Sequence, residues 1–371
     1  MFDTLQRTYI DAARPTPLQF VSRIGALNFR ELFALQPLKT LWSGLNGYFT
    51  DPRLQQLFGR YATYCGSSPY FAPSTLMLVA HVEQAGVWIA DGGMHGLAKA
   101  FAGFAVSLGV VFHYNAKSAS IQTECGRISG VMLEDCSFHA ATNVIFNGDV
   151  SALANGLLGY ETGGAKAIEQ KDRSLSALTW TVRAKVRDFP LAHHNVFFSD
   201  AYEDEFSRIF EKETLPNQPT VYVCAQDRDD AGALAKGEGS EESLLLLVNA
   251  PPVGDKREFE RSEIEQCLIR TQEQMEACGM TLDLQTAAQT GKAVATSPKQ
   301  FNHLFPATGG ALYGPLSKGI MAAFKRQGAR TSIPGLYLGG GSVHPGSGVP
   351  MAVLSGKRAA ESLVSDHAST R

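Results

Sequence analysis

The spacing of hydrophobic residues separates a helical amino-terminal part of the chain from a region of strands. From Pro17 to about Gly86, apolar residues recur every three or four positions, which is typical of amphipathic helices, and the segment shows no strand pattern. From 119 to 146, short apolar runs alternate with turn residues at 124–127 and 134–136. The second pattern predicts a small antiparallel meander that returns to a buried strand at TNVIF.

Between these two regions, the segment WIADGGMHGLAKAFAGFAVSLGVVFHY predicts a glycine loop followed by a helix. The helix is expected to end at Gly109, and VVFHY is expected to begin a strand. One face of the helix is apolar and carries Leu97, Phe101, Phe104, Ala105 and Leu108.

A second set of strands begins near Ser176. In LTWTVRAKVR, at 178–187, apolar and polar residues alternate strictly, as expected for a sheet with one face in water. The runs NVFFS, PTVYVCAQ and SLLLLVNAPP predict further strands, and AYEDEFSRIFE and EFERSEIEQCLIRTQEQMEACG predict helices. The carboxy-terminal part, 335–364, then reads as strand, glycine loop and helix, the helix running from about Val349 to Val364. This order indicates a chain that leaves one domain for a second sheet and then returns.

The composition is that of an ordinary globular protein and excludes several classes. The chain has 371 residues, 44% of them hydrophobic, and a formal charge of -3 that gives no electrostatic reason to expect nucleic acid as a partner. Six cysteines form no C-x-x-C pair, which argues against a zinc site or a disulfide framework and favours a reducing, cytoplasmic compartment. No apolar stretch reaches the roughly 18 residues that span a bilayer, so membrane contact could only be peripheral.

The adjacent His193 and His194 suggest a metal, but their setting argues against one. In an extended segment the two side chains point to opposite faces, and no cluster of Asp, Glu or Cys with ligand spacing accompanies them. We therefore interpret both histidines as surface or sheet residues and predict no metal site.

The run YLGGGSVHPGSGVP at 337–350 is the strongest candidate for chemistry. Glycines 339 to 341 remove every Cβ from a strand-to-helix turn, so a ligand could touch the main chain there. Pro350 lies near the first helical position, and the free N–H groups of the helix favour negative charge. A phosphate or the pyrimidine edge of a reduced flavin suits this turn, and a tight corner without a ligand remains open. Within it, His344 could contact a cofactor, act on a proton, or bond the backbone as a strut.

The loop and helix, together with GALYGP at 310–315 and IPGLYL just before the loop, resemble the carboxy-terminal flavin motif of the phytoene-desaturase-type carotenoid desaturases. The segment that begins VWIADGGMHG, at 87–122, resembles that family's middle motif. NGD at 147–149 falls where such enzymes carry a short Asn/Asp segment near the cofactor. Within the family, HPGSGVPMAVLSG looks most like the 1-hydroxycarotenoid 3,4-desaturase (methoxyneurosporene dehydrogenase) branch.

The resemblance implies a mixed α/β, two-domain fold of the FAD-dependent amine-oxidase and desaturase type. It places a helical substrate or membrane-side segment over 1–86, parts of the FAD-binding domain over 87–155 and 298–371, and a substrate domain with an antiparallel sheet over 156–297. The chain departs from the family in showing no G-x-G-x-x-G turn and no acidic residue after such a turn. We therefore expect the amino-terminal Rossmann unit to be incomplete and the chain to be truncated or a degenerate relative.

The implied activity is FAD-dependent desaturation of a long apolar carotenoid, a 1-hydroxycarotenoid at C-3,4, by an enzyme that touches the membrane peripherally from the cytoplasm. The candidate catalytic residues are His344 and Tyr313. The candidate FAD-binding residues are Gly92, Gly93, Asn147, Asp149, Gly339, Gly340, Gly341, Ser342, Gly348, Val349 and Met351. Candidate aromatic residues for lining the substrate are Trp42, Tyr48, Phe49, Tyr70, Phe71 and Trp180. Two alternatives remain open, namely another flavin oxidoreductase of the same superfamily and a non-catalytic protein that binds an apolar ligand. The oligomeric state is not predicted.

Overall fold

Helices dominate the described residues before the first strand. The computed structural model describes residues 2–24, 36, 38–159, 164–229, 231–234, 237, 239–319 and 321–368. The helices before the first strand are α1 Phe2–Leu5, α2 Pro17–Ile24, α3 Leu41–Leu45, α4 Pro52–Gly59, α5 Leu78–Gln84 and α6 Gly93–Ser107. Sequence chemistry sets the start of α4, because the Asp51 carboxylate accepts the N–H of Arg53 and Pro52 occupies the first turn. The predicted break at Pro37 lies outside the described residues.

Helix α6 ends close to the predicted position, yet its apolar face is exposed. Gly109 follows the helix with a φ of +88°, which suits glycine at a helix end. Phe104 is 65% exposed and Leu108 is 69% exposed, and no residue of α6 is buried. The prediction that VVFHY begins a strand is wrong. Among the described strands none pairs with 110–114, and the Val110 N–H instead donates to the Ala105 carbonyl at the end of α6.

Two small sheets follow α6. The strands among the described residues are β1 Ser118–Glu124, β2 Arg127–Leu133, β3 Phe138–Ala140, β4 Val144–Phe146, β5 Ser176–Ala184, β6 His194–Phe197, β7 Val221–Ala225, β8 Glu242–Ala250, β9 Ala293–Thr296 and β10 Leu336–Leu338. The first three strands form the predicted antiparallel meander, and β4 pairs in parallel with β10. Because parallel strands end at the same edge, the segments that follow β4 and β10 lie side by side.

A five-stranded antiparallel sheet carries a hydrophobic core larger than the one around β1, β2, β4 and β10. Its order is β6-β7-β8-β5-β9, with Trp180 of β5 opposite Leu246 of β8. Trp180 and Leu246 are almost fully buried. The alternation predicted along β5 holds from Thr181 onward, where exposed and buried residues alternate, whereas Ser176 to Trp180 are all buried. The sequence missed β9, whose four residues are too few to show a clear period.

The remaining described helices lie between and after these strands along the chain. They are α7 Val150–Ala154, α8 Tyr202–Phe210, α9 Arg261–Ala277, α10 Leu284–Gln289, α11 Pro298–Leu304, α12 Ala322–Lys325 and α13 Val349–Ala368. The predicted helices in the substrate region correspond to α8 and α9, and α13 continues past the predicted Val364. The five-stranded sheet lies inside the range expected for a substrate domain, and the division into domains stays a prediction. Within the described ranges, no helix is both long enough and apolar enough to cross a membrane.

A buried ion pair joins the loop after β7 to the start of β8. The Arg228 Nε and Nη2 atoms each lie 2.8 Å from an oxygen of Glu242, and the two side chains are 5% and 1% exposed. The same guanidinium donates to the carbonyl of Gly232 at 2.8 Å. Such a bidentate pair fixes the loop, because separating it would leave a charge in the interior.

Removing one partner of this pair should be far more damaging than removing both. We expect Arg228→Met to lower the free energy of unfolding by about 3–5 kcal/mol, since Glu242 stays buried without its cation. Arg228→Met combined with Glu242→Leu should cost less. Urea denaturation measures both, and Arg261→Ala, which breaks an exposed pair with Glu265, serves as a control with an expected cost below about 0.5 kcal/mol. A double variant as unstable as the single one would contradict this account.

Candidate functional site

The glycine loop and the segment after β4 meet at Gly340. This residue has a φ of +111°, and a Cβ built on it would lie 2.9 Å from Asn147 Oδ1. Its N–H donates to the Ser355 hydroxyl of α13 at 3.2 Å, and the neighbouring Gly339 N–H donates to the Phe146 carbonyl at 3.0 Å. Glycine is therefore needed here both for the backbone conformation and for the close approach of the two loops.

Side chains from both loops strengthen the junction. The Ser342 hydroxyl accepts the Val150 N–H at 3.2 Å, which ties the glycine loop to the start of α7. Asp149 caps α7 by accepting the Ser151 N–H at 2.8 Å. The structure thus brings together the predicted residues of both loops, Asn147 and Asp149 on one side and Gly339 to Ser342 on the other.

Arg326, a buried arginine that the sequence pattern did not single out, holds the glycine loop through hydrogen bonds. Arg326 is 6% exposed and donates to the Gly341 carbonyl at 2.8 Å and to the Tyr313 carbonyl at 2.7 Å. Burial lowers the pKa of its guanidinium, and the nearby Tyr9, Cys65 and Asp149 act in the opposite direction. The run FKRQGAR resembles a surface segment, so nothing in the sequence pattern indicated this role.

His344, farther along the glycine loop, packs against the amino-terminal segment. It is 2% exposed, its Nε2 atom lies 3.1 Å from the Ala12 carbonyl, and the Tyr9 ring meets it edge-on at 4.7 Å. Burial lowers the pKa of His344 to about 4, although the bond to Ala12 opposes this shift. At neutral pH the imidazole is therefore uncharged and donates to Ala12. This geometry supports the strut interpretation, and a catalytic role stays a prediction.

Tyr313 connects the loop to an aromatic cluster. Its N–H donates to the Ser174 hydroxyl at 3.0 Å, while its carbonyl accepts from Arg326. Burial raises the pKa of the Tyr313 phenol, and the charge of Arg60 opposes that rise. The phenol is thus neutral and close to a second buried cation. The cluster around it consists of Trp42, Tyr70, Leu175, Phe198, Tyr202, Phe206, Ile209, Phe210 and Tyr313.

Tyr202 of this cluster and Arg60, whose charge acts on it, each carry polar atoms without a described hydrogen-bond partner, and the sequence indicated neither. Arg60 is 6% exposed and Tyr202 is 5% exposed. Among the described residues, Nε and Nη1 of Arg60 and the Tyr202 hydroxyl have no hydrogen-bond partner. Burial raises the pKa of the Tyr202 phenol, with Arg60 opposing the rise, so the hydroxyl keeps its proton. The only sequence signal is a lone cation in the tyrosine-rich run GRYATYC. Buried groups of this kind normally find a partner, which makes them candidates for binding a ligand.

The other predicted residues lie at varying distances from the junction. Gly348 has a φ of +101° and stands just before Val349 and Met351 at the start of α13. Gly92 and Gly93 are exposed at the start of α6, in conformations with positive φ.

The predicted aromatic residues are also spread over several parts of the molecule. Trp42 and Tyr70 belong to the aromatic cluster, and Phe71 packs on Phe210 with 5.0 Å between ring centroids. Trp180 lies in the core of the five-stranded sheet, and Tyr48 is 62% exposed. In a separate cluster, Phe49 stacks on Phe58.

Comparison with known proteins identifies the class. Residues 5–364 match the family described as flavin containing amine oxidoreductase. The chain is 49% identical over 371 residues to the hydroxyneurosporene desaturase of Rubrivivax gelatinosus, covering all of this chain and 69% of that protein. It is 42% identical over 373 residues to the hydroxyneurosporene desaturase of Cereibacter sphaeroides, covering all of this chain and 72% of that protein.

A solved structure shares the fold. A crystal structure of an oxidoreductase from Methanosarcina mazei superposes with a TM-score of 0.55 at 16% identity, over 92% of this chain and 71% of that one. The chain belongs to the flavin-containing amine oxidoreductase family, and the predicted resemblance to the phytoene-desaturase-type carotenoid desaturases is confirmed. The predicted mixed α/β fold, the FAD cofactor and the assignment as an FAD-dependent oxidoreductase are confirmed with it.

The junction of the two loops fits one end of FAD. Gly341 is partly exposed, and the buried Ser347 hydroxyl just before α13 has no hydrogen-bond partner among the described residues. These groups, with the N–H groups at the start of α13, suit the polar edge of a flavin ring. The described residues contain no strand, G-x-G-x-x-G turn and helix in succession, so the part of the site that holds the pyrophosphate in a Rossmann unit has no counterpart among them.

Replacing Gly340 by alanine should disturb the junction. The positive φ strains any residue with a Cβ, and that atom would press on Asn147. We expect Gly340→Ala to lower the free energy of unfolding by about 1–3 kcal/mol and to weaken FAD retention. Gly356→Ala in α13, where a Cβ meets nothing within 4 Å, is the matched control and should leave stability unchanged or up to about 1 kcal/mol higher. Thermal unfolding and flavin absorbance after gel filtration measure both effects. Equal behaviour of the two variants would contradict the assigned role of Gly340.

The buried neutral His344 should make stability depend on pH. Its pKa is about 4 in the folded chain and near 6.5 when unfolded, so the unfolded state takes up the proton first as the pH falls. Stability from this group is complete above about pH 6.5 and is lost progressively down to pH 4. In His344→Gln the slope of unfolding free energy against pH should be lower by up to about 1.4 kcal/mol per pH unit in that window, and unchanged between pH 7 and 8. Identical slopes from pH 6.5 to 4 would contradict the buried neutral state.

Proposed function

We propose that this chain catalyses FAD-dependent desaturation of a carotenoid in carotenoid biosynthesis, and that the substrate is a 1-hydroxycarotenoid desaturated at C-3,4. Two relatives that match the whole chain are named hydroxyneurosporene desaturases, at 49% and 42% identity. The observation that carries the finer proposal is the pair of buried, unpartnered polar groups on Arg60 and Tyr202.

These groups suit a substrate that is apolar except at one end. Aromatic and aliphatic side chains pack around Tyr202, on which the charge of Arg60 acts, and would cover a polyene. A substrate hydroxyl could accept a hydrogen bond from Arg60 and exchange one with Tyr202. Leaving such donors unpaired costs about 1–3 kcal/mol, so a carotenoid without the hydroxyl would be bound less well.

The position of the cluster fits desaturation close to the hydroxyl. The charge of Arg60 acts on the Tyr313 phenol, and the Tyr313 carbonyl shares Arg326 with the carbonyl of Gly341 in the glycine loop. A chain of contacts therefore leads from the proposed hydroxyl site to the proposed flavin site. C-3 and C-4 of a 1-hydroxycarotenoid lie only a few bonds from the hydroxyl carbon, as this arrangement requires.

When bound, FAD supplies the acceptor for the hydride that leaves the substrate. The residues of the chain then have three tasks. Arg60 and Tyr202 fix the hydroxyl end, the aromatic cluster excludes water, and Gly340 with Arg326 holds the loop against the cofactor. Peripheral contact with a membrane, from which so apolar a substrate would enter, stays a prediction.

Substrate discrimination tests the proposal. With FAD added, Tyr202→Phe and Arg60→Met should lower kcat/KM for 1-hydroxyneurosporene by about 10- to 100-fold, the equivalent of one lost hydrogen bond to a buried group. Turnover of neurosporene, which lacks the hydroxyl, should fall little. Tyr202→Phe should also be at least as stable as the parent, because it removes an unpartnered hydroxyl. Tyr48→Phe, at an exposed tyrosine, is the matched control.

The outcomes separate the competing interpretations. Equal losses on both carotenoids would overturn the hydroxyl site. If the flavin-loaded chain formed no desaturated carotenoid, another reaction of the amine oxidoreductase family would be favoured. Carotenoid binding without reduction of bound flavin would indicate a non-catalytic protein that binds an apolar ligand.

A further inference from the structure

A second group of polar side chains lies at the edge of the five-stranded sheet. His193, His194 and Cys224 each present one ligand atom, and the three atoms lie within 4.8 Å of one another. Cys224 is a half-buried free thiol, and His194 is exposed. Two imidazoles and a thiol at this separation are the donor set of Zn²⁺ and related ions.

The backbone explains why the two adjacent histidines reach the same place. His194 begins β6 and stands directly opposite Cys224 of β7. His193 precedes the strand, in a bend, and its carbonyl accepts the Ala225 N–H at 2.9 Å. The alternation that assigned the two side chains to opposite faces therefore does not apply to His193.

Hydrogen bonds also orient both rings for binding. His193 Nδ1 lies 2.8 Å from the Arg228 carbonyl and must donate to it, which leaves Nε2 with a free lone pair 3.6 Å from Cys224 Sγ. His194 Nδ1 lies 2.8 Å from the Tyr222 hydroxyl, which can accept its hydrogen. Metal-binding histidines normally donate their second N–H in this way, to a carbonyl or another oxygen.

The surrounding structure holds these groups in place. Arg228, whose carbonyl orients His193, is anchored by the buried pair with Glu242. Asn195 bonds both main-chain groups of Ala192, with its Oδ1 accepting at 3.0 Å and its Nδ2 donating at 2.7 Å. A site built on fixed strands and an anchored loop loses little entropy when an ion binds.

We propose that His193, His194 and Cys224 form a binding site for a Zn²⁺-class transition-metal ion. The two imidazoles bind through nitrogen, and Cys224 binds as a thiolate after its proton leaves to solvent. Since His194 is exposed, a fourth position is open to water. The ion ties the edge strand β6 to β7 and so stabilises the open side of the sheet. This site is independent of the proposed desaturase activity.

Cobalt binding tests the site on the full chain. After treatment with a chelator, the protein should bind one equivalent of Co²⁺ with an absorption from cobalt–thiolate charge transfer, and Zn²⁺ should displace it. Cys224→Ser should abolish that absorption, and His194→Ala should weaken binding at least about 10-fold. Tyr222→Phe removes the hydroxyl that orients His194 and also bonds Cys224, and it should weaken binding about 10-fold. Zn²⁺ should raise the thermal midpoint of the parent but not of Cys224→Ser.

Two control variants test whether the ion binds at these three residues and not at another thiol or histidine. Cys125→Ser, at an exposed thiol, and His95→Ala, at an exposed histidine of α6, should bind Co²⁺ as the parent does. No thiolate absorption in the parent, or the same absorption in Cys224→Ser, would overturn the proposal. If Cys224→Ser does not fold, the exposed His194→Ala decides the question, because unchanged affinity there excludes the site.

Discussion

The parallel pairing of β4 with β10 is the contact on which the candidate site depends. These three-residue strands lie far apart in the chain, and their pairing closes a very long loop at an entropic cost that grows only slowly with length. Burial of Leu336, Leu338 and Val343 with the first sheet offsets that cost. Because the strands run in the same direction, both following loops emerge at one edge, where Gly340 allows them to touch.

Features with a local chemical cause could be predicted from the sequence. The glycine loop and NGD are short runs whose turn chemistry is explicit, and the five-stranded sheet follows from alternation along β5. Arg60, Arg326 and the group at Cys224 could not be predicted in this way. Each depends on residues distant in the chain, and a single arginine or cysteine carries no period. The apolar face of α6 shows the same limit, since the pattern identifies an apolar surface but not what covers it.

Three buried arginines are accommodated in different ways, and the difference separates scaffold from candidate site. Arg228 is paired with a carboxylate, which fixes a loop of the sheet. Arg326 donates to main-chain carbonyls, which fixes the glycine loop. Arg60 alone among the three keeps Nε and Nη1 without a described partner. Two of these cations have hydrogen-bond partners for their donors, whereas Arg60 has donors that no described residue accepts. Those donors can bind the polar end of an otherwise apolar ligand.

The amino-terminal segment packs against one side of the glycine loop and holds it through hydrogen bonds. Tyr9 donates its hydroxyl to the Ala323 carbonyl at 2.6 Å, and Arg358 of α13 donates to the Ile10 carbonyl at 3.1 Å. With the bond from His344 to Ala12, these contacts link the first helical turns to the loop and to α13. A neutral His344 suits this position, because a charged imidazole there would be buried beside Arg358 and Arg14. Residues of the amino-terminal segment therefore hold the glycine loop in place on the side that carries His344.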